Sequence, residues 1–152
     1  AVRKVLKELL KDFHIIHLCG KGNLDESLNG TPGYAQFEYA SSELTDMLAL
    51  ADIAISRAGA NSICELLALH KPNILIPLSA AASRGDQILN AKSFEKQGFS
   101  YVIQEEDVTD ELLLSAVKDV YKNRQTYIDA MSNSGQMDSI STILELIKKE
   151  TK

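Results

Sequence analysis

Residues 53–65 read I-A-I-S-R-A-G-A-N-S-I-C-E, and residues 77–91 read P-L-S-A-A-A-S-R-G-D-Q-I-L-N-A. In the first stretch an apolar run ends in a small-residue turn and opens directly into a helix, with Glu65 just over a turn inside it. Such a junction presents unpartnered backbone N–H groups and the positive end of a helix dipole to an anion. A carboxylate at that depth is placed for a neighbouring pair of hydroxyls. A strand feeding a helix in this way has the form of half a nucleotide-sugar site.

Outward from these stretches the same alternation repeats. Val2–Phe13 carries apolar Val2, Val5, Leu6, Leu9 and Leu10 at helical spacing. His14–Cys19 and Tyr34–Ala40 read as strands, separated by a Gly/Asn/Pro-rich segment with room for one helical turn. Ser42 is placed to cap a helix through Leu50, and Asp52–Ser56 is a third, apolar strand. A helix over Asn61–Leu69, a strand at Asn73–Pro77, a helix over Gly85–Gln97 stopped by Gly98 and a strand at Tyr101–Gln104 follow. Thr109 caps a helix to about Lys122, and helical segments near Gln125–Ser132 and Ser139–Lys149 close the chain. Strands alternating with helices predict an α/β fold, a doubly wound, mostly parallel sheet of about five strands with helices on both faces. The chain opens in a helix, whereas a doubly wound sheet opens on a strand. A leading strand and its loop are therefore expected to precede Ala1 in a longer protein.

Composition narrows the partners. At 152 residues the chain is one domain with a real core, and its 45% apolar and 24% charged residues are ordinary for a globular protein. A net charge of −5 offers no basic field for nucleic acid, and without Trp there is little stacking surface for single strands. No apolar run approaches the length of a membrane span. Cys19 and Cys64 lack clustered histidines, so they read as two reduced structural thiols rather than a metal site.

Each candidate site residue has a purely structural alternative. Gly59, Ala60 and Asn61 form either an anion-binding helix start or a plain turn capped by Asn61 or Ser62. Arg57 reinforces the anion or pairs with a carboxylate. Glu65 shares a helix face with Asn61 and accepts from a ribose diol, or is simply solvated. Asp86, Gln87 and Asn90 open a helix after the small-residue loop Ser79–Arg84 and offer acceptors and amides to sugar hydroxyls. Otherwise Asp86 caps that helix and Asn90 faces solvent. His14 and His17 fall on opposite strand faces and cannot pair, and Glu105-Glu106-Asp107 reads as an exposed turn. No Asp-x-Asp pair or metalloprotease motif is present.

Taken together and in order, S-R-A-G-A-N-S-I-C-E, K-P-N-I-L-I-P-L and G-D-Q-I-L-N-A resemble the C-terminal lobe of the MurG family. These are the UDP-N-acetylglucosamine transferases of peptidoglycan synthesis, built on the GT-B glycosyltransferase fold. The resemblance spans nearly the whole chain and implies a Rossmann-like donor-binding lobe. It implies that Gly59, Ala60 and Asn61 hold the diphosphate of UDP and that Glu65 binds the ribose. Tyr39, Ala40 and Ser41 would meet the uracil mainly through backbone groups. Asp86 and Gln87 would contact the GlcNAc hydroxyls, with Asn90 in support. It further implies an inverting, metal-independent transfer to lipid I, a cytoplasmic protein peripheral on the inner face of the bacterial membrane, and no cofactor. The acceptor site, general base and membrane-facing patch would lie in an N-terminal lobe before Ala1. Alternatives are a donor-binding subunit working with a separate membrane partner, as in a eukaryotic relative, and a nucleotide-sugar epimerase of the same fold.

Overall fold

A computed structural model describes residues 1–134, so the helix expected at Ser139–Lys149 lies outside the described residues. Five strands are present among them: β1 (Ile15–Leu18), β2 (Tyr34–Phe37), β3 (Ala54–Ser56), β4 (Asn73–Leu75) and β5 (Ser100–Val102). Every pairing is parallel, as the helix-crossover alternation requires. They do not form one sheet, however. β1 pairs only with β2, and β3-β4-β5 form a separate three-stranded sheet. The expected single sheet of about five strands is thus two open parallel sheets.

The helices are α1 (Leu6–Leu9, entered through a 3-10 turn), α2 (Glu43–Leu50), α3 (Ala60–Ala68), α4 (Ala80–Ser83), α5 (Asp86–Lys96), α6 (Asp110–Lys122) and α7 (Arg124–Ser132). β4 shows why the fold is doubly wound. Residues alternate across a strand, so Ile74 and Ile76 point to one face and Leu75 to the other. The first face packs Ile74 and Ile76 with Val5 of the 3-10 turn, Leu9 of α1, and Leu113, Val117 and Val120 of α6. The second packs Leu75 with Ile63 and Leu66 of α3, Ala91 and Phe94 of α5, and Met131 of α7. With both faces covered, β4 is buried along its length, its apolar Ile74 and Leu75 preceded by a buried Asn73 whose amide donates to Lys71 C=O and Phe99 C=O. The β1–β2 pair is different: its register places Ile16 and Leu18 beside Ala35 and Phe37, and all four are exposed.

Local signals placed most helix ends. Thr109 caps α6, its hydroxyl accepting from Leu112 N–H at 3.1 Å. Gly98 follows α5 at φ +77, a left-handed position suited to glycine. Ser42 does not cap α2 with its side chain. Glu43 instead reaches back to accept from Ser41 N–H at 3.2 Å. The small-residue stretch after β4, expected as a loop, contains the single helical turn α4.

Candidate functional site

The candidate residues gather on the connections that leave the carboxyl ends of β2, β3 and β4, where open α/β sheets bind ligands. After β3 the chain passes Arg57 and Ala58, and α3 begins at Ala60 with Gly59 as its N-cap. No side chain caps this helix, so neither Asn61 nor Ser62 plays the structural role open to it. The first intrahelical bond runs from Ile63 N–H to Gly59 C=O at 3.0 Å. The N–H groups of Ala60, Asn61 and Ser62, all exposed residues, therefore remain open to an anion. Gly59 has φ −66, which any residue adopts, so no backbone strain demands glycine there. A Cβ there would meet only Gln87 Nε2, at 3.9 Å, an ordinary contact.

The two helix starts are tied together by amides. Gln87 Oε1 accepts from Leu78 N–H at 2.9 Å and from Ala58 N–H at 3.3 Å. Asn90 Nδ2 donates to Ala58 C=O at 2.9 Å, so Asn90 does not turn to solvent. Ala58 is fully buried between them. Gln87 Nε2 has no hydrogen-bond partner among the described residues and lies 3.9 Å from where a Cβ on Gly59 would sit. The Gln87 oxygen is thus structural, and its NH2 group faces the turn where a ligand would lie. Asp86 is the first residue of α5; the cap position is Gly85 at φ 86, and the Asp86 carboxylate is exposed and does not cap.

Glu65 is half-buried on α3, and its carboxylate makes no hydrogen bond or ion pair among the described residues. Arg57 takes its structural option. Its guanidinium pairs with Glu105 at 2.9 Å and donates to Ile76 C=O at 3.1 Å. Glu105 also accepts from Ser79 N–H at 3.1 Å. That N–H bond, and then the Arg57 guanidinium, hold the Glu105 carboxyl below its ordinary range. Reading the sequence missed Glu105. Its partners lie 26 and 48 positions upstream, with no local pattern to announce them.

At the end of β2, a cavity of about 170 Å³ is lined by Phe37, Tyr39, Ala40, Ser41, Glu43 and Met47. The Ser41 N–H is committed to Glu43, whereas the main-chain groups of Tyr39 and Ala40 have no hydrogen bond among the described residues. The Tyr39 side chain is 75% exposed. Cys19 and Cys64 are free thiols. Among the described residues no group of His, Cys, Asp and Glu is placed to hold a metal ion, and no helix is long and apolar enough to cross a membrane.

Residues 1–148 match the family described as "Glycosyltransferase family 28 C-terminal domain". The chain belongs to this family. It is 61% identical over 152 residues to a protein of Lachnospira eligens, covering all of this chain and 43% of the relative. It is 60% identical over 149 residues to one from Clostridium perfringens, covering 98% of this chain and 42% of the relative. Both relatives are named UDP-N-acetylglucosamine–N-acetylmuramyl-(pentapeptide) pyrophosphoryl-undecaprenol N-acetylglucosamine transferase. The MurG resemblance read from three motifs is therefore correct, and the chain spans less than half the length of these relatives, corresponding to their C-terminal part. A solved glycosyltransferase associated with kitacinnamycin superposes with a TM-score of 0.71 over 86% of this chain and 33% of its own, at 22% identity. That likeness bears on the fold alone.

Proposed function

We propose that this chain is the donor-binding lobe of an inverting, metal-independent transferase that moves GlcNAc from UDP-GlcNAc to lipid I. The observation that carries the proposal is the uncapped N-terminus of α3, fixed to the start of α5 through Gln87 and Asn90. UDP would place its diphosphate on the open N–H groups of Ala60 and Asn61, its ribose hydroxyls at Glu65 and its uracil in the cavity beside Tyr39–Ser41. The sugar would then lie toward Asp86 and the free NH2 of Gln87. As the acceptor hydroxyl attacks the anomeric carbon, negative charge develops on the departing UDP. Oriented N–H groups that need no reorganisation stabilise that charge, as in an oxyanion hole. In this reading the helix supplies what a divalent cation supplies elsewhere, and no cofactor takes part. Arg57, turned to Glu105 and Ile76 C=O, does not meet the phosphates in this reading.

The full-length protein tests this. UDP release should require the lipid acceptor and persist in EDTA; release only without acceptor, or only with added Mn²⁺, would defeat the proposal. By the same reading the general base and the membrane contact belong to an N-terminal lobe. The protein would then work at the inner face of the plasma membrane. The names and lengths of the relatives favour a contiguous second lobe over a separate partner subunit.

The sheet arrangement supports such a continuation. A doubly wound sheet in the order 3-2-1-4-5-6 places its first strand at the centre. Here β2-β1 and β3-β4-β5 correspond to the two flanks of that order. We propose that a strand preceding Ala1 in the longer protein pairs with β1 and β3 and joins the two sheets. Backbone amides facing that strand would then exchange hydrogen far more slowly in the full-length protein than in residues 1–152 alone. Equal protection of β1 and β3 in the two proteins would refute the pairing.

A further inference from the structure

Glu105 joins three strand ends, and none of its contacts is needed to form the helix starts described above. We propose that Glu105 is a positioning residue for the segment Ser79–Gly85, which leads into the sugar-facing residues Asp86 and Gln87 at the start of α5; the proposal rests on that reading of the site. One carboxylate oxygen holds Arg57, after β3, at 2.9 Å. The other accepts from the Ser79 N–H, after β4, at 3.1 Å. Arg57 in turn donates to Ile76 C=O at 3.1 Å, so its guanidinium lies across the end of β4.

Ser79 is the N-cap of α4, and the Ser83 hydroxyl folds back onto Leu78 C=O at 3.2 Å and Ser79 C=O at 3.1 Å. The chain then passes through Arg84 at φ 56 and Gly85 at φ 86, two successive left-handed residues, before Asp86 begins α5. A left-handed non-glycine residue persists only where its surroundings over-determine it. The segment is held at both ends: Gln87, just past its exit, is bonded to Ala58 and back to Leu78, and at the entrance the next N–H, that of Ser79, is held by Glu105.

The ion pair itself is partly solvated, with side chains 48% and 37% exposed, so it contributes little to global stability. Its effect is geometric. Loosening the entrance lets Asp86 and Gln87 shift against a bound sugar, while the N–H groups at Ala60 and Asn61 stay where α3 holds them. The consequence falls on sugar recognition and spares the nucleotide.

The test measures equilibrium binding of UDP, UDP-GlcNAc and its C4 epimer UDP-GalNAc to the full-length protein as wild type, Glu105→Ala and Glu105→Gln. Glu105→Ala should reduce the preference for UDP-GlcNAc over the epimer roughly three- to tenfold, the scale of one lost hydrogen bond, and leave UDP affinity unchanged. Glu105→Gln, whose amide oxygen still accepts from Ser79, should fall between the two. An unaltered preference in Glu105→Ala overturns the positioning role while leaving the site reading intact. Equal loss for UDP and both sugars overturns it as well, because that outcome marks a general structural defect. A wild type that cannot tell the epimers apart refutes the sugar-facing assignment itself, and the proposal with it.

Discussion

Gln87→Ala is expected to melt roughly 4–12 °C below the wild type and to bind UDP-GlcNAc more weakly. The substitution leaves two backbone donors, the N–H of fully buried Ala58 and that of half-buried Leu78, without the shared oxygen that now satisfies both. Losing that acceptor costs about 2–3 kcal/mol, because stranded donors are more expensive than the net worth of the bonds. At about 2–4 °C per kcal/mol for a domain of this size, the shift follows. Gln87→Glu separates the two roles of the side chain. Its carboxylate still accepts from both N–H groups, so the melting temperature should hold, but the NH2 that faces Gly59 is gone. Binding of UDP-GlcNAc should therefore fall in Gln87→Glu without a stability defect. Scanning calorimetry with a UDP-GlcNAc titration measures both quantities, and an unchanged midpoint in Gln87→Ala would show that water replaces the oxygen at no cost.

Glu65→Gln should weaken UDP roughly ten- to a hundredfold and leave free uracil unaffected. The reasoning begins from a half-buried carboxylate that no residue of the described chain engages. A hydrogen bond from a ribose hydroxyl to a charged acceptor contributes about 1.5–3 kcal/mol, which sets the range. An amide keeps the shape and removes the charge, so the fold should be untouched. Calorimetric titration with UDP decides the matter. Equal affinities for wild type and variant would place Glu65 on a solvated helix face with no part in binding.

Most of the fold was legible because its signals are local. The strand expected at Asn73–Pro77, the cap at Thr109 and the stop at Gly98 each act within a few residues; the cap and the stop lie where the pattern put them, and the strand is present but ends at Leu75. Two local readings failed for a shared reason. Ser42 has a capping side chain, but its backbone is already helical at φ −62 and ψ −28, and Glu43 supplies the local acceptor by reaching back to Ser41 N–H. The stretch after β4 looks like a flexible loop, yet Ser83 and Ser79 close it into a turn of helix. Competing hydrogen-bond partners at similar sequence distance cannot be ranked from residue type alone.

The candidate site divides along the same line. A strand running into a helix through small residues, with open N–H groups and an acidic residue one turn on, is written in thirteen consecutive residues, Ile53–Glu65. The three motifs in order were enough to place the chain in its family. What each polar side chain does was decided only by folding. Arg57 turned to Glu105, Asn90 to Ala58, and the oxygen of Gln87 to two backbone N–H groups from different loops. These partners lie 48, 32, 29 and 9 positions away in the chain. Helix and strand periodicity carries information over a turn or two, whereas such pairings exist only once parallel strands have brought their carboxyl ends together.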